Sequence, residues 1–466
     1  MPEETPETCP FHAAEPLIPP FPTPLKHRAG FIRRFLLGRK SWIHTLYEKS
    51  YVMKMGAHRF PKLRLFIVGE PALVAEVMDD PQRIFPKHRL LNDMLDPLLG
   101  NSVFSVNGKV WEDQRAMINP AFAHTNLKRA FPVMADAGAD LIAMIRARVG
   151  AGGPLDIDPL MTHVTADIIF RTLFSLTLSE AESERVYEAF NRYQHYAQPS
   201  TLRGLYRFPR RKLRQQMDEA AADVHALFAP IVDARLAHVA AGGAPHADIL
   251  ETLIAARHPD TGAPFSRQDL LDQLAIIFLA GHETSASALG WTLWCLAASP
   301  DLQVRLLAEI DAVTDGGALA FEHLKRLEGV RNLFREGLRL YPPVSFYPRE
   351  VTQPMVRRDK KLRPGDMVVV SPWLIQRSEN HWRCPHAFDP DRFVHEADAV
   401  REGWLPFGRG PRVCVGAGFA QQEAVLILAE IIRAFALAPI PGKTPELISR
   451  LTLRPRDGLH LTITPR

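Results

Sequence analysis

The sequence predicts a mostly α-helical protein with small β-sheets, an α+β fold built around one long buried helix. Helical periodicity dominates residues 110–360 and 416–438, whereas only three short segments carry strand signals. The 466 residues include four cysteines, which is too few for a disulfide-stabilised fold. A chain of this length buries a large apolar core without such cross-links.

A Pro-rich arm is predicted for residues 1–30, followed by one domain over residues 31–466. Eight of the 39 prolines lie between Pro2 and Pro24, and this stretch has no apolar run that would suit a signal peptide or a membrane anchor. The segment Phe31–Lys40 predicts a solvated amphipathic helix, with contact to a membrane surface as the alternative. We therefore expect a cytoplasmic protein without a transmembrane segment, with peripheral membrane association left open.

Three segments predict strands. Leu63–Val68 and Met367–Val370 are short runs rich in β-branched and large apolar residues, and Pro364-Gly365 forms a turn before the second run. The C-terminal sequence predicts a β-hairpin around Pro455–Gly458.

The longest predicted helix begins at Ser266, which can act as N-cap because Asp269 follows three residues later. Its apolar pattern runs for some 32 residues, about 48 Å, until Pro300 stops it. A membrane span is excluded because Asp272 and Glu283 bracket only ten residues. A helix that is apolar nearly all round is expected to lie buried at the centre of the molecule.

The middle of this helix carries Ala280-Gly281-His282-Glu283-Thr284. A carboxylate beside a hydroxyl is costly in a core helix unless both are satisfied. Two interpretations follow: a satisfied polar pair in the core, or a distorted helix that opens onto a cavity and handles protons or water.

An irregular loop, Phe407–Gly416, places Cys414 just before a helix that begins with small residues. A cysteine at a helix N-terminus is favoured as thiolate, and Arg409 and Arg412 add positive charge nearby. On these grounds Cys414 is a metal ligand, a nucleophile or an inert loop cysteine.

Five segments together resemble the cytochrome P450 family, in the family's order and over residues from about 60 to the C-terminus. Phe407–Gly416 matches F-x-x-G-x-R-x-C-x-G, Ala280–Thr284 matches A-G-x-[DE]-T, Glu336–Arg339 matches E-x-x-R, Phe388–Phe393 matches F-x-P-x-R-F, and Trp111 with Arg115 matches W-x-x-x-R. The resemblance implies the cytochrome P450 fold, in which the long central helix lies over a buried haem.

The resemblance implies haem b (iron protoporphyrin IX) as cofactor, with Cys414 as its axial thiolate ligand. Phe407 is then expected to shield the sulfur, and the backbone at Gly416 to temper its charge. The expected partners of the haem propionates are Lys87, Trp111, Arg115, Arg349 and Arg412.

The resemblance also implies that Glu283 and Thr284 relay protons to O2 as an acid–alcohol pair, with Ala280 and Gly281 leaving room for O2. Glu336, Arg339 and Arg392 are expected to form a buried structural network. A flexible loop over residues 90–104 and a lid over residues 193–207 are expected around the substrate. The expected pocket residues are Leu95, Phe104, Ile276, Leu279, Ala280, Val344 and Phe346.

The resulting hypothesis is a soluble, bacterial-type haem-thiolate monooxygenase that acts on a lipophilic small molecule and is a monomer. Electrons are expected from a separate ferredoxin or flavodoxin and its reductase, docked on a basic face. That face is expected to include Lys109, Lys128, Arg129, Arg409 and Arg412. The net charge of +4 gives no argument for nucleic acid. The alternatives are a peroxide-driven peroxygenase, a haem-thiolate isomerase or dehydratase, and a helical binding module with an inert cysteine.

Overall fold

A computed structural model of the chain describes residues 16–150 and 152–466. Its helices are α1 Phe31–Lys40, α2 Lys49–Val52, α3 Pro71–Asp79, α4 Arg89–Leu99, α5 Gly108–Ile118, α6 His124–Val149, α7 Asp158–Phe174, α8 Glu180–Leu205, α9 Arg211–Ala240, α10 Ile249–Ala255, α11 Arg267–Ala297, α12 Pro300–Thr314, α13 Phe321–Leu324, α14 Glu328–Leu340, α15 Pro372–Ile375, α16 Arg392–His395, α17 Ala397–Gly403 and α18 Ala417–Ala434. Its strands are β1 Met55–Arg59, β2 Arg64–Val68, β3 Gly153–Asp156, β4 Tyr347–Glu350, β5 Met355–Arg357, β6 Lys360–Leu362, β7 Met367–Val370, β8 Phe435–Pro439, β9 Leu447–Ser449, β10 Leu453–Pro455 and β11 His460–Pro465. The predicted α+β class, mostly helical with small sheets, is confirmed.

Helix α11 is the central helix of the fold, as predicted. Ser266 caps its N-terminus by accepting a hydrogen bond from the backbone N–H of Asp269, whose side chain accepts one from Ser266 in return. The helix packs against α7, α9, α14 and α18, so apolar side chains are buried all round it. Among the residues that the structure describes, no helix is both long and apolar enough to cross a membrane.

The largest sheet has the strand order β1-β2-β7-β4, and a second sheet joins β3, β11 and β8. The predicted strands at Leu63–Val68 and Met367–Val370 are confirmed as β2 and β7, which pair in parallel. The predicted C-terminal hairpin is wrong, because β10 pairs with β9 while β11 pairs with β3 and β8. The turn at Gly458 lies against Asp156, whose carboxylate accepts a hydrogen bond from the backbone N–H of Leu459 and directs the chain towards β3.

The segment before α1 is attached to the body of the protein wherever the structure describes it. Leu17 accepts a backbone hydrogen bond from Phe388, and the ring of Phe21 stacks on His386 at 4.4 Å. The first fifteen residues of the predicted arm lie outside the described residues.

The flexible loop predicted over residues 90–104 is wrong for most of its length. Residues Arg89–Leu99 form α4, whose N-terminus is capped by the imidazole of His88 accepting from the backbone N–H of Leu90. Pro97 lies inside this helix without ending it. The helix buries Leu95 in the core. Burial of this apolar face favours a helix, although the Asn and Asp residues of the segment are typical of loops.

Candidate functional site

The cysteine loop folds tightly against α3. Gly410 has φ +72°, and a Cβ there would lie 2.4 Å from the carbonyl oxygen of Met78, so only glycine fits this turn. The backbone N–H of Cys414 donates to the carbonyl of Phe407 at 2.9 Å. The loop therefore closes on itself and holds the thiol just before the N-terminus of α18.

The thiol of Cys414 is accessible, yet burial raises its pKa above the ordinary value. The backbone N–H of Gly416 and the guanidinium of Arg115 act in the opposite direction, but burial dominates. The N–H at the helix N-terminus thus acts in the predicted direction, but burial outweighs it in the protein alone; a metal cation at the sulfur would favour the thiolate.

A cationic cluster, defined as Lys87, Arg115, Arg349 and Arg412, lies near this thiol. Lys87 and Arg349 form an isolated β-bridge, and the Lys87 ammonium donates to the carbonyls of residues 103 and 104. The guanidinium of Arg412 lies 4.3 Å from the ring centre of Trp111. The structure thus brings together the side chains that were predicted to hold the haem propionates.

The cationic cluster has too few counter-charges of its own. Burial lowers the pKa of Lys87 well below its ordinary value, and Arg412, Arg349 and Arg115 lower it further. Burial and Arg349 lower the pKa of Arg412 to about 10, with Asp80 acting against them. Within the described residues, the Nη1 atom of Arg412 is buried without a hydrogen-bond partner. Buried like charges with an orphaned donor fit an anionic ligand, and the two carboxylates of a haem match this need.

One residue that was not predicted organises this cluster. The side-chain oxygen of Asn107 accepts from Arg412 at 3.0 Å and from the backbone N–H of Lys87 at 3.0 Å. Its side-chain amide donates back to the carbonyl of Lys87. Nothing in the local sequence around Asn107 distinguishes it from an ordinary helix N-cap.

Beyond its first turn, the central helix is accessible at one patch. Between Leu270 and Ala297 every residue is buried except Ala280, Gly281 and Thr284. The hydroxyl of Thr284 donates to the carbonyl of Ala280 at 2.6 Å. A Cβ at Gly281 would lie 3.0 Å from Ile169, so this glycine lets α11 pack closely on α7.

The carboxylate of Glu283 points away from this patch. Its Oε1 accepts from Thr452 at 2.7 Å and from Gln194 at 3.3 Å, and the Nε of Arg454 lies 3.7 Å away. Its Oε2 lies 4.0 Å from the Nε2 of His282. Burial alone would raise the pKa of Glu283, but Arg454 and the other partners outweigh it and lower the pKa.

Behind Glu283, the network continues towards α7. An Nη atom of Arg454 lies 3.5 Å from the carboxylate of Asp158, whose pKa is raised to about 6 mainly by burial. Sequence reasoning missed Asp158, Gln194, Thr452 and Arg454, since they lie more than 85 residues from Glu283 and belong to no motif. Only the correct pairing of the C-terminal strands brings Thr452 and Arg454 to α11.

The predicted structural network forms in the core. Arg339 donates twice to the Glu336 carboxylate, at 2.7 and 2.8 Å, and Arg392 donates to it at 3.1 Å. The backbone N–H of Asp389 donates to the same carboxylate at 2.9 Å. All three charged side chains are buried, so each depends on the others for its solvation.

The predicted pocket residues fall into two groups. Leu95, Ile276 and Leu279 are buried among core side chains. The more accessible members are Phe104, Ala280, Val344 and Phe346. Phe407 is half-buried and makes an edge contact with Trp404.

The predicted basic face is largely neutralised by ion pairs. These pairs are Lys109 with Asp113 and Asp260, Lys128 with Glu322, and Arg409 with Asp79. Arg412 stacks on Trp111 within the cationic cluster. Arg129 is exposed, and no described carboxylate forms an ion pair with it.

Comparison with known proteins identifies one family. A family model described as Cytochrome P450 matches residues 20–463. Two proteins of Streptomyces melanosporofaciens are similar over most of both chains. Cyclooctat-9-en-7-ol 5-monooxygenase is 33% identical over 82% of this chain and 82% of its own, and cyclooctatin synthase is 29% identical over 86% and 85%. Cytochrome P450 4A11 of Homo sapiens is 29% identical over 81% of this chain and 76% of its own.

Solved structures show the same fold. The crystal structure of cytochrome P450 CYP102L1 superposes with a TM-score of 0.82 and 24% identity, covering 96% of this chain and all of that one. The heme domain of cytochrome P450DA gives 0.79 and 24%, covering 97% and 98%.

Proposed function

Because this chain belongs to the cytochrome P450 family, we propose that it is a haem-thiolate monooxygenase that inserts one oxygen atom from O2 into a lipophilic small molecule. Its relatives include named monooxygenases and hydroxylases, and the chain is an enzyme of this oxygen-incorporating class. The observation that best supports the proposal is the placement of Cys414, which is exposed at the end of a tight loop and lies near Arg115 of the cationic cluster.

The residues present fit a haem. Cys414 would bind the iron through its thiolate, and the cationic cluster would hold the propionates, with Trp111 stacked on Arg412. When bound, the haem supplies the reductive cleavage of O2, in which one oxygen atom enters the substrate and the other leaves as water. The N–H of Gly416 is directed at the sulfur and would moderate its charge.

The remaining chemistry assigned to the protein is proton transfer. The Thr284 hydroxyl lies at the accessible patch of α11, and the ionised Glu283 carboxylate lies behind it. A proton held at Glu283 reaches Thr284 only when the Glu283 side chain rotates or when a water molecule joins the two. Asp158 and Arg454 continue the polar path towards α7, and Asp158 accepts a proton near pH 6.

The substrate we propose is a lipophilic molecule of small to medium size, because the pocket residues are apolar. The relative named cyclooctat-9-en-7-ol 5-monooxygenase makes cyclooctat-9-en-7-ol the first compound to test. A separate ferredoxin or flavodoxin, with its reductase, would deliver the electrons.

Two measurements test the proposal. The purified protein should show a Soret band, and after reduction and addition of carbon monoxide this band should carry the red shift of a thiolate ligand. Cys414→His should abolish that shift, whereas Cys384→Ser, a matched cysteine control, should keep it. Absence of the shift in the wild type refutes the haem-thiolate assignment. A panel of terpenoids, steroids, fatty acids and aromatic ethers, screened for a low-to-high spin change, then identifies the substrate class.

A further inference from the structure

His282 occupies the variable position of A-G-x-[DE]-T, and the proton path described above gives it no role. Its side chain is only 1% exposed, and the rings of Phe278 and Phe190 lie 4.7 and 6.1 Å from the imidazole ring. An imidazole is costly to bury unless both of its nitrogen atoms are satisfied. The contacts of these two nitrogen atoms therefore indicate what the residue does.

One nitrogen of His282 is fixed as a hydrogen-bond donor. Its Nδ1 lies 2.9 Å from the backbone carbonyl oxygen of Phe278. A carbonyl oxygen can only accept, so Nδ1 carries the hydrogen of the neutral ring and Nε2 carries a lone pair. Nε2 is buried and has no hydrogen-bond partner among the described residues. The neutral imidazole thus presents a buried acceptor.

The atom that faces this lone pair is also an acceptor. Oε2 of Glu283 lies 4.0 Å from Nε2 of His282, and within the part of the chain that the structure describes it too is buried without a hydrogen-bond partner. The other carboxylate oxygen, Oε1, is already bonded to Thr452 and Gln194. Adjacent helical residues normally point about 100° apart, so the approach of these two side chains is specific to this site. Two buried acceptors that face each other are joined only by a hydrogen between them.

The charged and polar groups around the pair come from three elements. Arg454, on β10, has its Nε 3.7 Å from Oε1 of Glu283, and Asp158, on α7, lies 3.5 Å from the same guanidinium. Helix α8 contributes the uncharged amide of Gln194. Burial lowers the pKa of His282, Glu283 acts against burial, and Arg454 acts with it. The imidazole is therefore neutral at neutral pH and takes up a proton as the pH falls.

We propose that His282 is a positioning residue for proton transfer, and that its Nε2 and the Oε2 of Glu283 hold one proton between them. In the loaded pair, Nε2–H donates to Oε2, so both buried acceptors are satisfied. Transfer breaks the N–H bond and forms an O–H bond, which leaves a neutral imidazole and a neutral carboxyl group. Rotation of Glu283 then brings this proton to Thr284. The inference rests on the proposed monooxygenase function, for which Glu283 alone is poorly suited because its lowered pKa leaves it ionised at neutral pH.

The pH dependence of coupling in the reconstituted holoenzyme tests this role. In the wild type, product per electron pair should rise as the pH falls from about 8 to about 6, because the pair is then loaded with its proton. His282→Phe keeps an aromatic ring between Phe190 and Phe278 but holds no proton. Its coupling should be several-fold lower near pH 6 and nearly independent of pH. The control His386→Phe, which replaces a half-buried histidine stacked on Phe21, should behave like the wild type.

A second variant separates the proton from the contact. His282→Gln can donate a hydrogen bond to Glu283 but cannot give up a proton, so it should match His282→Phe. Coupling restored by the Gln side chain would overturn the proposal, because a polar contact would then suffice. A pH dependence that survives in His282→Phe and disappears in Asp158→Asn would also overturn it, since Asp158, with a pKa of about 6, would then be the titrating group.

The thermal midpoint of the holoenzyme gives a readout that does not depend on turnover. An imidazole whose pKa is lowered in the folded protein takes up its proton more readily in the unfolded chain, so acid destabilises the fold. Glu283→Gln removes the carboxylate that favours protonation of His282. The midpoint of this variant should therefore fall more steeply than that of the wild type between about pH 7.5 and pH 5.5. Adding His282→Phe should abolish the extra steepness.

The outcomes distinguish this inference from the proposed function. A double variant that falls as steeply as Glu283→Gln alone would show that the two side chains share no proton. If the wild type keeps its Soret band and its thiolate shift while the coupling and stability tests fail, only the role of His282 is disproved. If the wild type lacks those spectra, the proposed function itself is refuted.

Discussion

Glu283 and Thr284 are neighbours in sequence but face different surroundings. Successive helical residues are rotated by about 100°, so a hydroxyl at the accessible patch places the preceding carboxylate against the core. There Glu283 meets Thr452, Gln194 and Arg454. The two residues therefore have separate roles: Thr284 lies at the accessible patch of α11, and Glu283 connects that patch to an internal polar path.

Thr284→Ala tests the first of these roles. We expect the reconstituted enzyme to consume reducing equivalents at a similar rate while product per electron pair falls several-fold and peroxide accumulates. Thr284→Ser keeps the hydroxyl and should stay coupled. If coupling with the native substrate is unchanged in the alanine variant, Thr284 has no part in proton transfer.

Glu423, on α18, is a buried carboxyl that the mechanism does not use. Burial raises its pKa to about 8, against a hydrogen bond from Ser285, and its Oε2 has no partner among the described residues. Between the lower pKa of the unfolded chain and the higher pKa of the folded protein, this carboxyl is protonated in the folded protein but ionised in the unfolded chain. It therefore costs stability progressively as pH rises from about 4 towards 8.

Glu423→Gln should remove this pH dependence. The variant and the wild type should have similar stability near pH 4.5, and the variant should gain up to roughly 3–5 kcal/mol by pH 8. Denaturant unfolding at a series of pH values measures the difference. A constant difference across the series would show that Glu423 does not titrate in this range.

At the level of elements, the packing of α14 on α11 depends on Gly337. A Cβ there would lie 2.0 Å from the Oγ1 of Thr292 and 3.0 Å from its Cβ. Gly337 directly follows Glu336, so any movement of α14 also strains the buried Glu336–Arg339–Arg392 network.

Gly337→Ala should destabilise the protein by about 1–3 kcal/mol through overpacking, seen as a lower thermal midpoint. Thr292→Ala alone removes a buried methyl group and a hydroxyl that bonds to its own helix, so it has a small cost of its own. The double variant should recover part of the loss, because the closest clash is gone. Strict additivity of the two substitutions would indicate that the two helices do not meet as tightly as described.

The elements differ in how much their sequence reveals. α11 was predictable because a capping box and a proline mark its ends and because its apolar pattern is continuous. The C-terminal strands were recognised but wrongly paired. The alternation of apolar and polar residues indicates which side of a strand is buried, but not which strand it pairs with. The helical pattern after Cys414 was extended to residue 438, although α18 ends at Ala434 and β8 follows.

The site shows the same division. Cys414, Thr284 and the Glu336 network belong to local motifs, and the family resemblance that those motifs carry implied their roles. Asn107 and the partners of Glu283 act through tertiary contacts between distant segments, which no local pattern encodes. Ion pairing also escaped prediction, because Lys128 and Arg409 find their carboxylates on other elements, and Lys109 binds Asp260 in addition to Asp113 of its own helix.

At the scale of the whole molecule, these ion pairs determine which cations can attract an electron-transfer partner. Lys128 is held by Glu322, whereas Arg129 beside it is exposed and has no ion-pair partner among the described residues. Long-range attraction depends on the net charge of a face and not on its number of cations. We therefore expect an acidic ferredoxin or flavodoxin to sense Arg129 strongly and Lys128 weakly.

Two variants with opposite signs test this reasoning. Arg129→Glu should lower the second-order rate of reduction by an acidic partner several-fold, and Glu322→Gln should raise it by freeing Lys128. Both effects should shrink as ionic strength increases, and neither variant should alter the substrate-induced spectral change. Stopped-flow reduction at two salt concentrations measures the rates. A slower reduction of the Glu322→Gln variant would contradict the prediction. Added positive charge at a docking face speeds the binding of an acidic partner, so a decrease would mean that the partner docks on another face.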